Sequence, residues 1–337
     1  MKKVRILELF AGIGACSKAF ERLDIEHEIV DAVEINKFAV ASFNAIHGTN
    51  FEPQDITKWD KDIECDLIMH GSPCQDFSIA GKQAGGDAGS GTRSSLMYET
   101  LRIVEKLKPK YVIWENVKNI ISIKHIHNWE NYCNKMNDLG YCNWCKVMNA
   151  KDYGVPQSRE RVFTISIRTD VSDKEFLFPE PIPLDRRLKD MIEDNVDEKY
   201  YLSDEQISKL ISSNYDQNKR FYDVFGYSPT ISTMGGGQRQ PKIVASRGRG
   251  ENNEQHLEPR KDGITNTLTS VQKDNYLANN TRIRKLTPKE CWRLMGFDDD
   301  DFDKASKVNS DTQLYRQAGN SIVVNVLEAI LGRLLCK

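Results

Sequence analysis

The chain reads as an α/β protein whose doubly wound sheet is followed by a second domain or large insertion. Three observations carry this. Short apolar runs alternate with segments of helical spacing through the first third; Pro179, Pro181 and Pro183 open a polar, Gly-punctuated stretch; apolar periodicity returns near Leu286. The boundaries fall at 1–178, 179–281 and 282–337. Val4 to Leu9 predicts a buried strand, Cys16 to Leu23 a helix, and Ile29 to Glu34 a second strand; Phe38, Val40, Ala41 and Phe43 suit the helix that follows. Leu67 to Met69 and Tyr111 to Trp114 are further strands of an expected parallel sheet. Between them Leu96, Leu101, Val104 and Leu107 recur at helical intervals, and Pro109 stops the helix. Val162 to Ile167 alternates as a strand does. Thr287-Pro288-Lys289-Glu290 predicts a helix start, with Thr287 as N-cap, Pro288 at the first position and Glu290 closing a capping box. Ser321 to Leu335 reads as one amphipathic helix with Val323, Val324, Leu327, Ile330 and Leu331 on its core face.

Charge and cysteine usage narrow the function classes. Lys and Arg total 47 against 49 Asp and Glu, a net charge of −2, so binding to a polyanion must rest on a local patch. Apolar runs fall short of the ~18 residues of a membrane span. Met1-Lys2-Lys3 imitates a leader, but Glu8 interrupts the apolar stretch behind it, and a cytoplasmic protein is expected. The eight cysteines lack disulfide-scaffold spacing. Cys142-x-x-Cys145 is half a zinc motif without a second pair, so no metal is expected, and Cys16, Cys65, Cys133, Cys291 and Cys336 read as small buried hydrophobes.

The chemistry-bearing residues fall at strand ends. Phe10-Ala11-Gly12-Ile13-Gly14 joins the first strand to the first helix, where doubly wound sheets bind nucleotides, and Glu34 lies 20 residues beyond Gly14, the place of an acid that reaches ribose hydroxyls. Ser17 stands where a third glycine would let a pyrophosphate approach. This favours an adenosine cofactor without one, S-adenosylmethionine being the common choice, with Asp55 placed to bond the adenine amino group. Gly71-Ser72-Pro73-Cys74-Gln75 follows the Leu67 strand. A thiol there needs a cation or helix terminus to become a nucleophile, since only about 3% is thiolate at pH 7. Glu115 and Asn116 end the neighbouring strand, and Gln157-Ser158-Arg159-Glu160-Arg161 offers two guanidinium groups to the same cleft.

In order, Phe10-Ala-Gly-x-Gly, Pro73-Cys74-Gln75, Glu115-Asn116-Val117, Gln157-x-Arg-x-Arg161 and Gly319-Asn320-Ser321 resemble the motif series of the cytosine-5 DNA methyltransferases. The resemblance implies a Rossmann-like methyltransferase sheet with an inserted smaller target-recognition domain, S-adenosyl-L-methionine as cofactor and double-stranded DNA as partner. It implies that Cys74 attacks carbon 6 of a flipped cytosine, that Glu115 bonds N3 and the exocyclic amine, and that Arg161 and Arg159 hold the base carbonyl, supported by Asn116 and Gln157. The cofactor set it implies is Phe10, Ala11, Gly12, Gly14, Glu34, Ile35, Asp55, Ile56, Gly71, Pro73, Leu96, Asn320 and Ser321, with Phe10 and Ile35 about the adenine. Residues 78–94 correspond to a mobile loop closing over DNA, with Ser78, Lys82 and Arg93 as contacts. In the insert, Thr230 to Thr233 and Thr267 to Ser270 resemble two short strands carrying base-reading loops, Gln238, Arg239 and Gln240 on one, Gln272 and Lys273 on the other.

A local basic patch is expected from Arg239, Lys242, Arg247 and Arg249 together with Arg282, Arg284, Lys285, Lys289 and Arg293. The acidic run Asp298 to Asp301 with Asp303 reads as a solvated face turned from DNA. A restriction endonuclease acting independently is an optional partner, and a monomer is expected. Two alternatives remain: a transfer RNA cytosine-5 methyltransferase with the same motifs, and an inert DNA-binding scaffold on the same fold.

Overall fold

The structure, a computed structural model, describes residues 3–73, 96–172, 174–211, 221–222, 224–233, 240–246 and 281–336. The first unit runs β1 (Val4–Leu9), α1 (Ala15–Arg22), β2 (His27–Val33), α2 (Lys37–His47), β3 (Leu67–His70), α3 (Met97–Leu107), β4 (Tyr111–Val117), α4 (Ile126–Asp138), β5 (Tyr141–Asn149) and β6 (Glu160–Arg168). These strands form one sheet in the order β2-β1-β3-β4-β6-β5. β1 to β4 pair in parallel, as expected, but β6 is antiparallel to both β4 and β5. The short excursion from β5 to β6 explains the departure, because parallel neighbours need a crossover of about a dozen residues or more.

Strand alternation splits the core in two. Ile6, Met69 and Ile113 point to one face with Phe20 and Leu327, while Leu7, Ile68 and Val112 point to the other with Val104 and Tyr132. All ten are fully or almost fully buried; each aliphatic side chain among them stabilises by about 1.5–3 kcal/mol relative to exposure.

Beyond the first unit come α5 (Asp204–Ile211), β7 (Phe221–Tyr222), β8 (Lys242–Ser246), β9 (Thr281–Lys285), α6 (Pro288–Arg293), α7 (Asp299–Ser306), α8 (Asp311–Asn320) and α9 (Val324–Leu335). β7, β8 and β9 make a second small sheet. The capping box at α6 has both of its hydrogen bonds. The expected single C-terminal helix begins later, at Val324, after a break at Ser321 that separates it from α8. Taken as one stretch, Asp311–Leu335 is long and apolar enough to cross a membrane, with a mean hydropathy of 1.3. Its break and the burial of Val323, Val324, Leu327, Ile330 and Leu331 in the core make it instead the element that closes the sheet.

Four expectations are corrected. Thr230 to Thr233 forms no strand; it runs extended against the first unit, where Gln157 and Arg159 bond the backbone of Ile231. The acidic run is a solvated face except at Asp301: Asp298, Asp300 and Asp303 are exposed, whereas Asp301, 2% exposed, closes the capping box of α7 with Asp298 and pairs with Lys18 at 2.9 Å. Among its described members the basic patch is largely neutralised, for Arg282 pairs with Glu198, Arg284 with Glu290, Lys289 with Asp303 and Arg293 with Asp299, while Lys242 is buried; Arg239, Arg247 and Arg249 lie outside the described residues. Cys336 is exposed, unlike the buried Cys16, Cys65, Cys133 and Cys291. Cys142 and Cys145 sit three residues apart on β5 and so project to opposite faces, which no single ion can bridge. The Thr267 to Ser270 segment lies outside the described residues.

Candidate active site

Parallel pairing brings the carboxyl ends of β1, β2, β3 and β4 to one edge. At the end of β1 the chain turns through three left-handed residues, Phe10 (φ 54°), Gly12 (φ 57°) and Gly14 (φ 82°). Gly14 has no room for a side chain: a Cβ would lie 2.1 Å from His47 Nε2. Gly12 faces open space, so a ligand can approach its backbone. Beneath this turn the buried Glu8 accepts hydrogen bonds from Ser17 N at 2.9 Å and from the Ser17 hydroxyl. An internal carboxylate thus occupies the helix N-terminus that other doubly wound folds offer to a phosphate. Burial raises its pKa.

Glu34 follows β2 and meets that turn. Its carboxylate accepts from Gly12 N at 3.1 Å and from Asn36 N at 2.8 Å, which leaves lone pairs for two further donors. Ile35 beside it is 70% exposed, an apolar surface in need of a cover. Asp55 caps the short turn Ile56–Lys58, its Oδ1 accepting from Thr57 N and Oγ1, and Ile56 is buried behind it. Leu96, at the start of α3, is half-buried. At the far end of the chain Asn320 is exposed while Ser321 is buried.

β4 runs through the Glu115-Asn116-Val117 motif rather than stopping before it. The Glu115 side chain is mostly buried, 12% exposed, and its Oε1 lies 3.1 Å from Arg161 Nε on β6. Burial raises the Glu115 pKa, outweighing the opposing pull of Arg161 and Arg159. A Cβ on Gly71 would sit 3.5 Å from Glu115 Oε2, so the Gly71-Ser72-Pro73 turn packs on this carboxyl. Arg159 is committed elsewhere: it donates to the carbonyls of Ile231 at 2.8 Å, Gly319 at 3.1 Å and Ser321 at 2.9 Å. Gln157 donates to the Leu294 carbonyl at 2.6 Å and accepts from Ile231 N at 3.0 Å. These two therefore clamp three distant segments together behind Arg161, with no donor directed at a base carbonyl in the bonds just given. The carboxamide oxygen of Gln240 is buried, which turns that side chain into the fold. Cys74, Ser78, Lys82, Arg93, Gln238, Arg239, Gln272 and Lys273 lie outside the described residues.

Sequence reasoning passed over Ser72 and Trp114. The indole Nε1 of Trp114 donates to Ser72 Oγ at 3.0 Å and Asn116 Nδ2 donates to the Ser72 carbonyl at 3.4 Å. The signal was present, since a tryptophan in a buried strand needs a partner for its N–H and a serine stands inside the Gly71-x-Pro-Cys motif.

The sheet edge that joins the glycine turn after β1, the Glu34 carboxyl and the Glu115–Arg161 pair belongs to a Rossmann-like methyltransferase fold. Solved structures share the fold: the Entamoeba histolytica methyltransferase EhMeth has a TM-score of 0.72 at 17% identity, covering 99% of this chain and 98% of that one. The Schizosaccharomyces (S. pombe) Dnmt2 methyltransferase has a TM-score of 0.68 at 20% identity, with 99% and 98% covered. The chain belongs to the C-5 cytosine-specific DNA methylase family, whose model matches residues 4–336. It is 34% identical to the type II methyltransferase M.HhaI of Haemophilus parahaemolyticus over 97% of this chain and 93% of the relative. It is 32% identical to the orphan methyltransferase M.SPBetaI of Bacillus phage SPbeta over 99% and 98%.

Proposed function

We propose that this enzyme methylates carbon 5 of a cytosine flipped out of duplex DNA, through a covalent adduct of Cys74 at carbon 6. The observation that carries the reading is the mostly buried Glu115 carboxyl, paired with Arg161 and packed against the turn that leads into Cys74. Carbon 5 is too weak a nucleophile to take a methyl group unaided. Attack of the Cys74 thiolate on carbon 6 makes the sulfur–carbon bond and pushes an electron pair toward N3, where a protonated Glu115 donates its hydrogen. The raised Glu115 pKa suits that role. Arg161 holds the base carbonyl. Carbon 5, now an enamine carbon, takes the methyl group as the methyl–sulfonium bond breaks with its electron pair left on the donor sulfur, and N3 returns its proton to Glu115; a base then removes the carbon 5 proton and the sulfur–carbon bond breaks, freeing Cys74.

The residues fit an adenosine cofactor that carries no phosphate. Glu34 would hold the ribose hydroxyls, Phe10 and Ile35 would cover the adenine, Asp55 would take the amino group, and Gly12, Gly14, Gly71, Ile56, Leu96 and Asn320 would complete the wall. S-adenosylmethionine supplies, when bound, the methyl group on its sulfonium. Glu8, on β1, takes the Ser17 N–H at the start of α1 that a pyrophosphate would otherwise take. Segment 179–281 reads the target through Gln238, Arg239, Gln272 and Lys273, and residues 78–94 close on the DNA.

Base-resolution sequencing of 5-methylcytosine in DNA from cells expressing the wild type or Cys74→Ser tests this. Methylation confined to one short sequence and lost in the variant is expected. Transfer retained by Cys74→Ser overturns the covalent step. Methylation of transfer RNA but not of duplex DNA, assayed in parallel, overturns the substrate.

A further inference from the structure

One buried polar contact at the strand edge has no part in the chemistry above. Trp114 and Asn116 are alternate residues of β4, so both leave the face opposite to Glu115, and both bond Ser72, which is 3% exposed. The indole is held in its turn. The His70 ring stacks parallel to it with centroids 5.7 Å apart, and the Tyr132 ring lies at 4.2 Å. His70 itself is bonded at both ring nitrogens, by Tyr132 Oη at 3.1 Å and Thr100 Oγ1 at 3.4 Å. Packing alone asks for no such chain. A phenyl ring would fill most of the same space without an N–H that must be satisfied, whereas here the N–H is aimed at the residue two before Cys74.

We infer that the Ser72–Trp114 hydrogen bond is a positioning device for the reaction. It ties the turn entering Cys74 to the strand that carries Glu115, so that nucleophile and proton donor meet one base at a set separation. Ser72 and Trp114 touch no substrate; they act through the two residues they hold. The inference rests on the covalent reading above.

The test uses the full chain and a duplex carrying the methylated sequence found in cells, with 5-fluorocytosine at the target so that the covalent adduct accumulates. Ser72→Ala is expected to slow adduct formation and kcat by about tenfold or more, because small misplacements of reacting groups cost that much, while KM for cofactor and duplex stays within about twofold. Ser72→Thr, which keeps the hydroxyl, restores most of the rate. Trp114→Phe loses as much as Ser72→Ala, and the double variant loses no more than the worse single, as two partners of one bond do. An adduct formed as fast by Ser72→Ala as by the wild type overturns the positioning role alone. Multiplying losses in the double variant do the same. Failure of the wild type to form any adduct while it methylates ordinary duplex overturns the covalent reading and this inference with it.

Discussion

Glu115 is where burial and charge oppose each other most directly. Its carboxyl is mostly buried beside Arg161, and burial prevails, lifting its pKa above the usual carboxylate value of 4.5. Two consequences separate by their pH dependence. Under the proposed mechanism Glu115 donates below its pKa and the Cys74 thiolate forms above its own, so kcat should follow a bell. Glu115→Gln should lower kcat by about a hundredfold, within the span of general acid catalysis, and abolish the alkaline limb while leaving the acid limb; a kcat–pH profile checks this, and an unchanged alkaline limb would assign that limb to another group. For stability, a folded-state pKa above the unfolded one means that the native protein holds the proton longer. The contribution is complete below about pH 4.5 and is lost as pH rises through the folded value. Glu115→Gln removes that loss. Its Tm should exceed the wild type's at pH 8 by more than at pH 4.5, and a difference independent of pH would sink the argument.

At the scale of elements, the last turn of α8 is a tight junction between backbones. Gly319 abuts the backbone of Ser232, where an added Cβ would lie 2.2 Å from the carbonyl oxygen, and its own carbonyl accepts from Arg159. Backbone cannot swing aside as a side-chain tip can. Gly319→Ala should therefore lower Tm by several degrees and expose residues 228–233 to protease. Gly332, within α9, is the control: its Cβ would meet only Leu23 Cδ2 at 3.8 Å. Alanine there gains helix propensity worth about 0.8–1 kcal/mol, and Tm should hold or rise. Equal Tm changes in the two variants would show that the Ser232 contact does not matter. Elements of this kind divide into those a local pattern reveals and those it does not. Val4–Leu9 and the Thr287–Glu290 cap were legible because each is decided by its own neighbours in sequence. Thr230 to Thr233 was misread because its partners are the side chains of Gln157 and Arg159, which supply the bonds a second strand would have supplied.

Across the whole molecule the same division decides which charges are solvated. Lys18 and Asp301 meet across 283 positions, so nothing local marks Asp301 as buried, and its acidic neighbours argue the reverse. At the site, the spacing of Gly12 and Glu34 and the motif of Glu115 and Arg161 could be read directly, whereas the Ser72–Trp114 bond depends on β3 lying beside β4. The buried pair Arg284–Glu290 shows what such hidden partners contribute. Arg284 stands in β9 and Glu290 in α6; the guanidinium bonds both carboxylate oxygens, at 2.7 and 2.8 Å, with the side chains 2% and 0% exposed. The same carboxylate accepts from Thr287 N at 2.7 Å and Glu193 N at 2.8 Å, so one acid fastens the small sheet, α6 and the chain before α5. Removing one partner of a buried pair strands a charge at a cost of about 3–5 kcal/mol, while replacing both by neutral groups of similar volume is often close to neutral. Glu290→Gln should then destabilise by about that amount in urea unfolding. Arg284→Met should do so by less, since Glu290 keeps its two backbone donors, and the double variant Arg284→Met with Glu290→Gln should recover most of the loss. If the double variant is as unstable as the two single losses added together, the carboxylate's worth lies in its backbone bonds, and the ion pair is incidental to how the small sheet is held.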